Sequence, residues 1–268
     1  MAKTTSRESR DAVGPDPVAD FLRAPRPGRR RGEKLAVLVA SDLADEIVEA
    51  GLRPGDPLPN EARMLERLDV SRATLREALR VLETQGVIVV KTGRGGGPFV
   101  AEPQSRALAD LLTINFRVLG VTFEEILVTR DTIEPALAAQ AAANRTEADL
   151  AHLRSLVERM EEARGARDYS ALNRDFHTTV ATASRNRPLA VMWSAIGEVA
   201  DGQVVGTSWG EDLRAAGNRA HRRLIDALAA GDPDRAQRVM SAHVTAFHHA
   251  MGRDHAAALR APIRAPGG

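Results

Sequence analysis

His177, His221 and His243 sit in the stretches NRDFHTTV, NRAHRRLIDAL and MSAHVTAF, each with the three- and four-residue apolar spacing of a helix. Imidazoles from separate helices can converge in a bundle core and hold one divalent ion such as zinc, nickel or manganese. The separations of 44 and 22 residues match no short metal motif, so histidines that merely pack or face solvent remain an open reading. His152, His248, His249 and His255 show how such residues accumulate without a role. A second pair, Arg130 and Glu134, lies one helical turn apart. It reads either as an intrahelical ion pair of about 0.2–0.5 kcal/mol or as a place where the planar Arg130 fork receives the carboxylate of a small organic acid. A third set, Arg72, Arg76 and Arg80, repeats every four residues and so forms one stripe of a helix. Such a stripe can reach O6 and N7 of guanine in a major groove, or form a solvated face partly neutralised by Glu77 and Glu83.

The elements around the arginine stripe decide what it can do. Ser71 is an N-cap type, and Leu75, Ala78, Leu79 and Leu82 form an apolar stripe beside the arginines. A helix over about 60–67 precedes it, joined through Leu68, Asp69 and Val70, a turn length that suits a helix-turn-helix. Asp69 supplies a residue that tolerates the left-handed conformation. After Gly86 the period changes to Val87, Ile88, Val89 and Val90, then a basic, glycine-rich tip from Lys91 to Gly97, then Phe99 and Val100. This spells two short strands, a wing. A helix over about 33–50 opens the unit, and Pro54, Gly55 and Pro57 turn the chain toward the helix-turn-helix.

From Ser105 to Met251 the pattern predicts seven amphipathic helices, at 105–119, 123–144, 147–164, 168–184, 188–205, 211–230 and 233–251. Thr122 with Glu125 and Thr146 with Asp149 resemble capping boxes, and Asp232 before Pro233 gives an N-cap with a first-turn proline. The fold class is therefore mainly α: an N-terminal winged helix-turn-helix over 32–102 and a C-terminal all-α bundle over 105–252. Residues 1–31 read as a disordered polar arm and 253–268 as a disordered tail. The Arg29–Arg31 patch serves solubility or touches phosphate.

With 268 residues the chain can bury two ordinary cores. It contains no cysteine, which suits a reducing cytoplasm. No apolar run approaches the roughly 20 residues that span a bilayer, and the first 31 residues offer no signal peptide. A net charge of +1 means that attraction to nucleic acid must come from local clusters.

The run PGDPLPNEARMLERLDVSRATLREALRVLETQG from Pro54 to Gly86, with the wing after it, resembles the DNA-binding domain of GntR-family transcription regulators. That resemblance implies DNA contacts at Ser71, Arg72, Thr74 and Arg76 on the recognition helix and at Gly93 and Arg94 on the wing tip. Some members also use an arginine just after the LPxE segment; here Ala62 holds that place and Arg63 follows. The stretches RDTIEPALAAQAA, FHTTVATASRNRPL and HRRLIDALAAGDPDRAQRVMSAHV resemble the all-helical effector domain of the FadR-like subgroup, the FCD domain. The likeness implies a metal held by His177, His221 and His243 together with the residue four before His177. That position carries Asp in many members and Asn173 here, a neutral and weaker ligand. It also places Arg130 beside the effector cavity. Asp175 lies some 200° around the helix from the metal face.

The expected function is a cytoplasmic regulator, a repressor, binding a palindromic double-stranded operator as a homodimer and answering to a small organic acid. Two other readings remain: a metal-dependent hydrolase built on the three histidines, and a DNA-binding protein whose bundle only dimerises. No Glu follows a histidine at a spacing that offers the hydrolase a general base.

Overall fold

The structure, a computed structural model, describes residues 35–93, 95–101, 105–204 and 210–264. The expected arm at 1–31, Arg94 at the wing tip and the last four residues of the expected tail lie outside the described residues. The chain divides between Gln104 and Ser105 into two units.

In the first unit, helix α1 (Leu35–Glu49) is followed by α2 (Glu61–Leu68), α3 (Arg72–Thr84) and the strands β1 (Ile88–Lys91) and β2 (Gly97–Val100). Asn60 caps α2 by accepting from the Arg63 backbone N–H at 3.0 Å. Asp69 ends α2 in the left-handed region, φ 48° and ψ 48°, which turns the chain sharply into α3. Ser71 then caps α3, its Oγ accepting from the Thr74 N–H at 3.1 Å. Leu75, Ala78, Leu79 and Leu82 are all buried and join Leu43 of α1, Met64 of α2 and Ile88 of β1 in one core. A two-pronged ion pair between Arg67 and Glu46 ties α2 to α1. The strands pair antiparallel, Ile88 opposite Val100 and Lys91 opposite Gly97. Gly96 is required at the tip, because a Cβ there would lie 2.3 Å from the Lys91 carbonyl oxygen.

The second unit contains α4 (Ser105–Leu119), α5 (Phe123–Asn144), α6 (Glu147–Glu162), α7 (Ala166–Ala183), α8 (Arg187–Val204), α9 (Glu211–Ala229), α10 (Pro233–Asp254) and α11 (Ala256–Arg260). The first seven match the predicted helices to within three residues at each end. Both capping boxes form, at Thr122/Glu125 and Thr146/Asp149, and Asp232 accepts from the Arg235 N–H at 2.9 Å. Helix α5 runs against α10, α7 and α8, while α9 packs on α10 and α6. Alanines such as Ala138, Ala141 and Ala142 allow that close approach. Pro135 inside α5 removes one backbone donor and with it the bond to the Asp131 carbonyl.

The tail differs from the sequence expectation. Instead of disorder from 253, α10 continues to Asp254 and α11 follows, with Leu259 and Ile263 buried beside Phe123, Ile126 and Met251. The Ile263 N–H donates to the Val121 carbonyl at 2.9 Å. Only two large apolar side chains, spaced by four among Ala, Arg and Pro, carry this docking. That is too short a pattern to register as helix in the sequence.

Candidate nucleic-acid interface and candidate metal centre

Helix α3 separates its two sides as its pattern requires. Arg72, Arg76 and Arg80 are exposed while the leucine stripe is buried. Of the two expected neutralisers, Glu77 does pair with an arginine of the stripe, Arg80, whereas Glu83 turns to the wing. Glu61 on α2 holds Arg76, with Arg76 Nε donating to Oε1 at 2.7 Å and Nη2 to Oε2 at 3.3 Å, and this hydrogen bond keeps the Glu61 carboxyl below its ordinary range. Glu77 stands 4.0 Å from Arg80. Glu83 instead accepts from the Val90 N–H at 3.2 Å and steadies the wing. Fifteen positions separate Glu61 from Arg76, so the sequence offered no helical-neighbour signal for their contact. Ser71 and Thr74 are tied to each other, oxygen to oxygen at 2.8 Å. Arg63 is exposed on α2, and Gly93 takes φ +96° at the wing. Lys91 lies over the Phe99 ring at 4.2 Å, a cation held on the wing by an aromatic face.

In the helical unit, α7, α9 and α10 bring His177, His221 and His243 together. The Nε2 atoms of His221 and His243 are 3.1 Å apart, and those of His243 and His177 are 3.3 Å apart. His177 and His221 are buried, and Phe176 lies against His221 with ring centroids 4.2 Å apart. On the other side of His177, Nδ1 meets the Glu134 carboxylate, which in turn accepts from Arg130 Nε at 2.7 Å. Burial alone would raise Glu134, but Arg130 and His177 outweigh it and hold the carboxyl below its ordinary range. An ionised Glu134 is an acceptor for the His177 Nδ1–H, the tautomer that leaves the Nε2 lone pair for the other two rings.

Burial, followed by the neighbouring histidines, keeps His221 well below its ordinary pKa and pushes His243 down to about 3. One nitrogen from each of the three rings lies within 4.8 Å of the others. Bonds of about 2.0–2.1 Å from nitrogen to a divalent ion, at angles between octahedral and tetrahedral, require nitrogens about 3.0–3.4 Å apart, a range that the His221–His243 and His243–His177 spacings meet. Asn173, one turn before His177 on α7, is buried and lines the same cavity. Asp175 is exposed and faces Arg174.

That cavity, about 170 Å³, is lined by Arg130, Tyr169, Asn173, His177, Arg223 and His243 among others, with no Asp or Glu among the described residues. Arg130 makes the intrahelical pair with Glu134 and also faces the cavity, clamped 5.5 Å from the Trp193 ring and 5.6 Å from the Phe247 ring. The intrahelical pair uses Arg130 Nε, and the same residue lines the cavity. Sequence reasoning missed Arg223, and it paired Glu134 only with Arg130. The i, i+4 spacing showed the arginine partner, but contact with His177 depends on how α5 meets α7. Glu134, the carboxylate against the cluster, is committed to His177 and Arg130, and so is not free to activate water.

Two family models match the chain: "Bacterial regulatory proteins, gntR family" over residues 35–97 and "FCD domain" over residues 125–246. The putative L-lactate dehydrogenase operon regulatory protein of Escherichia coli K12 is 30% identical over 244 residues, covering 84% of this chain and 88% of that protein. The HTH-type transcriptional regulator LutR of Bacillus subtilis 168 is 29% identical over 206 residues, covering 74% of this chain and 93% of its own length. Among solved structures, a GntR protein of Streptococcus agalactiae superposes with a TM-score of 0.62 at 26% identity, over 80% of this chain and 99% of that one. The two relatives are named as regulators.

Proposed function

Because the chain belongs to the gntR family of bacterial regulatory proteins, with an FCD domain after its helix-turn-helix, it is a DNA-binding transcription regulator, and we propose that it represses as a homodimer tuned by a small organic acid. The observation that carries this reading is α3, which rests on the core through its leucines and turns three arginines outward. Two such helices, one from each protomer, occupy the half-sites of a short palindrome. Phosphate contacts give strength and salt dependence, while Arg72 and Arg76 read base edges. Leu111, Ile114 and Val118 form an exposed apolar stripe along α4, a surface that favours a second copy of the chain. No helix among the described residues is long and apolar enough to cross a membrane, in keeping with a cytoplasmic site of action.

The effector enters the cavity between α5, α7, α9 and α10. Arg130 and Arg223 attract its carboxylate, and the lack of any lining carboxylate selects for anions. His177, His221 and His243 hold a divalent ion, with Asn173 beside them and Glu134 orienting His177. When bound, such an ion supplies a Lewis-acid point for an anionic oxygen. The name of one relative, an L-lactate dehydrogenase operon regulator, accords with a hydroxy acid. The acid changes operator affinity by the difference in its affinity for the two arrangements of the dimer. The test is fluorescence anisotropy of a selected operator, titrated with protein in the presence of zinc and acetate, L-lactate or L-malate. One acid should shift the midpoint; a midpoint unmoved by all three excludes them as effectors.

A further inference from the structure

Glu61, the first residue of α2, is a carboxylate that meets the arginine stripe of α3 from another element. It takes Arg76 by the side edge of the guanidinium, through Nε at 2.7 Å and Nη2 at 3.3 Å. A guanidinium has five N–H donors, so both of those on Nη1 and the second on Nη2 are not used by Glu61. One from each of these nitrogens makes the end edge, which can span O6 and N7 of guanine. Glu61 therefore grips Arg76 without covering the edge that reads a base.

The pairing changes what Arg76 is attracted to. An unpaired arginine carries a full positive charge on a flexible stem, and phosphate oxygens, which hold no sequence information, are its acceptors along any duplex. Paired, it belongs to a nearly neutral unit, and the half-exposed Glu61 carboxylate beside it repels phosphate. The hydrogen bond from Arg76 holds the Glu61 carboxyl below its ordinary range, so that charge is present at neutral pH. Guanine is uncharged, and its two acceptors still attract the end edge. An exposed ion pair adds little to stability, so the fold alone gives this one small reason to exist.

We propose that Glu61 is a positioning residue for sequence reading: it withholds Arg76 from phosphate and presents the end edge of its guanidinium to a guanine. This rests on the reading of α3 as the element that enters the major groove, and adds the residue that decides how one of its arginines is used. Arg76 then contributes to discrimination between sequences rather than to indiscriminate attraction.

The test uses the full chain and fluorescence anisotropy with three kinds of duplex: an operator selected from a random pool, its single-base variants and a shuffled sequence, each titrated between about 50 and 200 mM salt. R76A identifies the base pair that Arg76 reads, as the position at which preference relaxes. E61Q keeps the shape of the side chain and removes its charge, and its melting temperature should stay close to that of the wild type. It should bind the shuffled duplex more tightly, with a log–log salt slope steeper by about 0.9 for each protomer, one further phosphate being neutralised. Its discrimination at the Arg76 base pair should fall about tenfold, within the worth of one bidentate base contact. If E61Q keeps wild-type discrimination and salt slope while R76A loses discrimination, the proposal is overturned and the reading of α3 stands. The same holds if E61Q weakens every duplex by one factor and melts early, as a structural residue would. If R76A binds every sequence as the wild type does, Arg76 is no reader, and the proposal falls with that reading.

Discussion

Helices α3 and α5 both carry an arginine engaged by a carboxylate, and they use the pair in opposite ways. Arg76 and Glu61 meet on the surface, with side-chain exposures of 65% and 31%. Arg130 and Glu134 meet in the interior, at 12% and 2%. On α3 the pair can part cheaply, because water replaces each partner, so Arg76 stays available to another acceptor such as a base edge. On α5 parting would strand an ion in a region of low polarity, so the pair is fixed and lends its rigidity to His177. Exposure thus separates a guanidinium that is free to change partners from one that holds a site in place.

The largest effect that would break this contrast lies at Glu134. Truncation by Glu134→Ala leaves Arg130 buried without its partner and His177 without its orienting acceptor. The expected loss is about 3–5 kcal/mol of stability in urea unfolding, with zinc affinity lowered about 10–100-fold. A loss below about 1 kcal/mol would mean that the interior pair is no more demanding than a surface one. Next comes Arg72→Ala, which should leave the melting temperature unchanged, weaken operator binding by about 1–3 kcal/mol and relax preference at one base pair. Competition titrations with single-base operator variants read this directly. If the variant binds every sequence as the wild type does, α3 is only a solvated face. The smallest effect belongs to Glu61→Gln, which releases Arg76. Melting should move little, as for exposed pairs generally. The sign of its pH dependence follows from the Glu61 carboxyl being held low by Arg76. The small stabilisation is present above the ordinary carboxylate range and fades as pH falls, so the two proteins' melting curves should converge in acid. A variant that melts far below the wild type at neutral pH would place Glu61 among structural groups.

Much of this arrangement is legible in the sequence where the physics is local. N-caps at Ser71, Thr122, Thr146 and Asp232, the left-handed Asp69 and the leucine stripe of α3 each depend on residues within one or two turns. All appear as the pattern predicts. The three histidines converge, but their 22- and 44-residue separations state only that they lie on different helices. Convergence is decided by how α7, α9 and α10 pack. What stayed hidden is contact across elements: Glu61 reaching Arg76, Glu134 reaching His177, Arg223 entering the cavity and His248 meeting Asp131 at 2.7 Å. The docked tail escaped notice for a related reason. Leu259 and Ile263 gain meaning only from the pocket formed by Phe123, Ile126 and Met251.

The central claim is that α3 reads duplex DNA in two symmetric copies. Selection of bound sequences from a random duplex pool by the purified full chain at low salt tests it most directly. An inverted repeat with half-sites about one helical turn apart, bound less tightly as salt rises from about 50 to 200 mM, is the predicted result. A pool with no enriched sequence, or an enriched site lacking twofold symmetry, would contradict it.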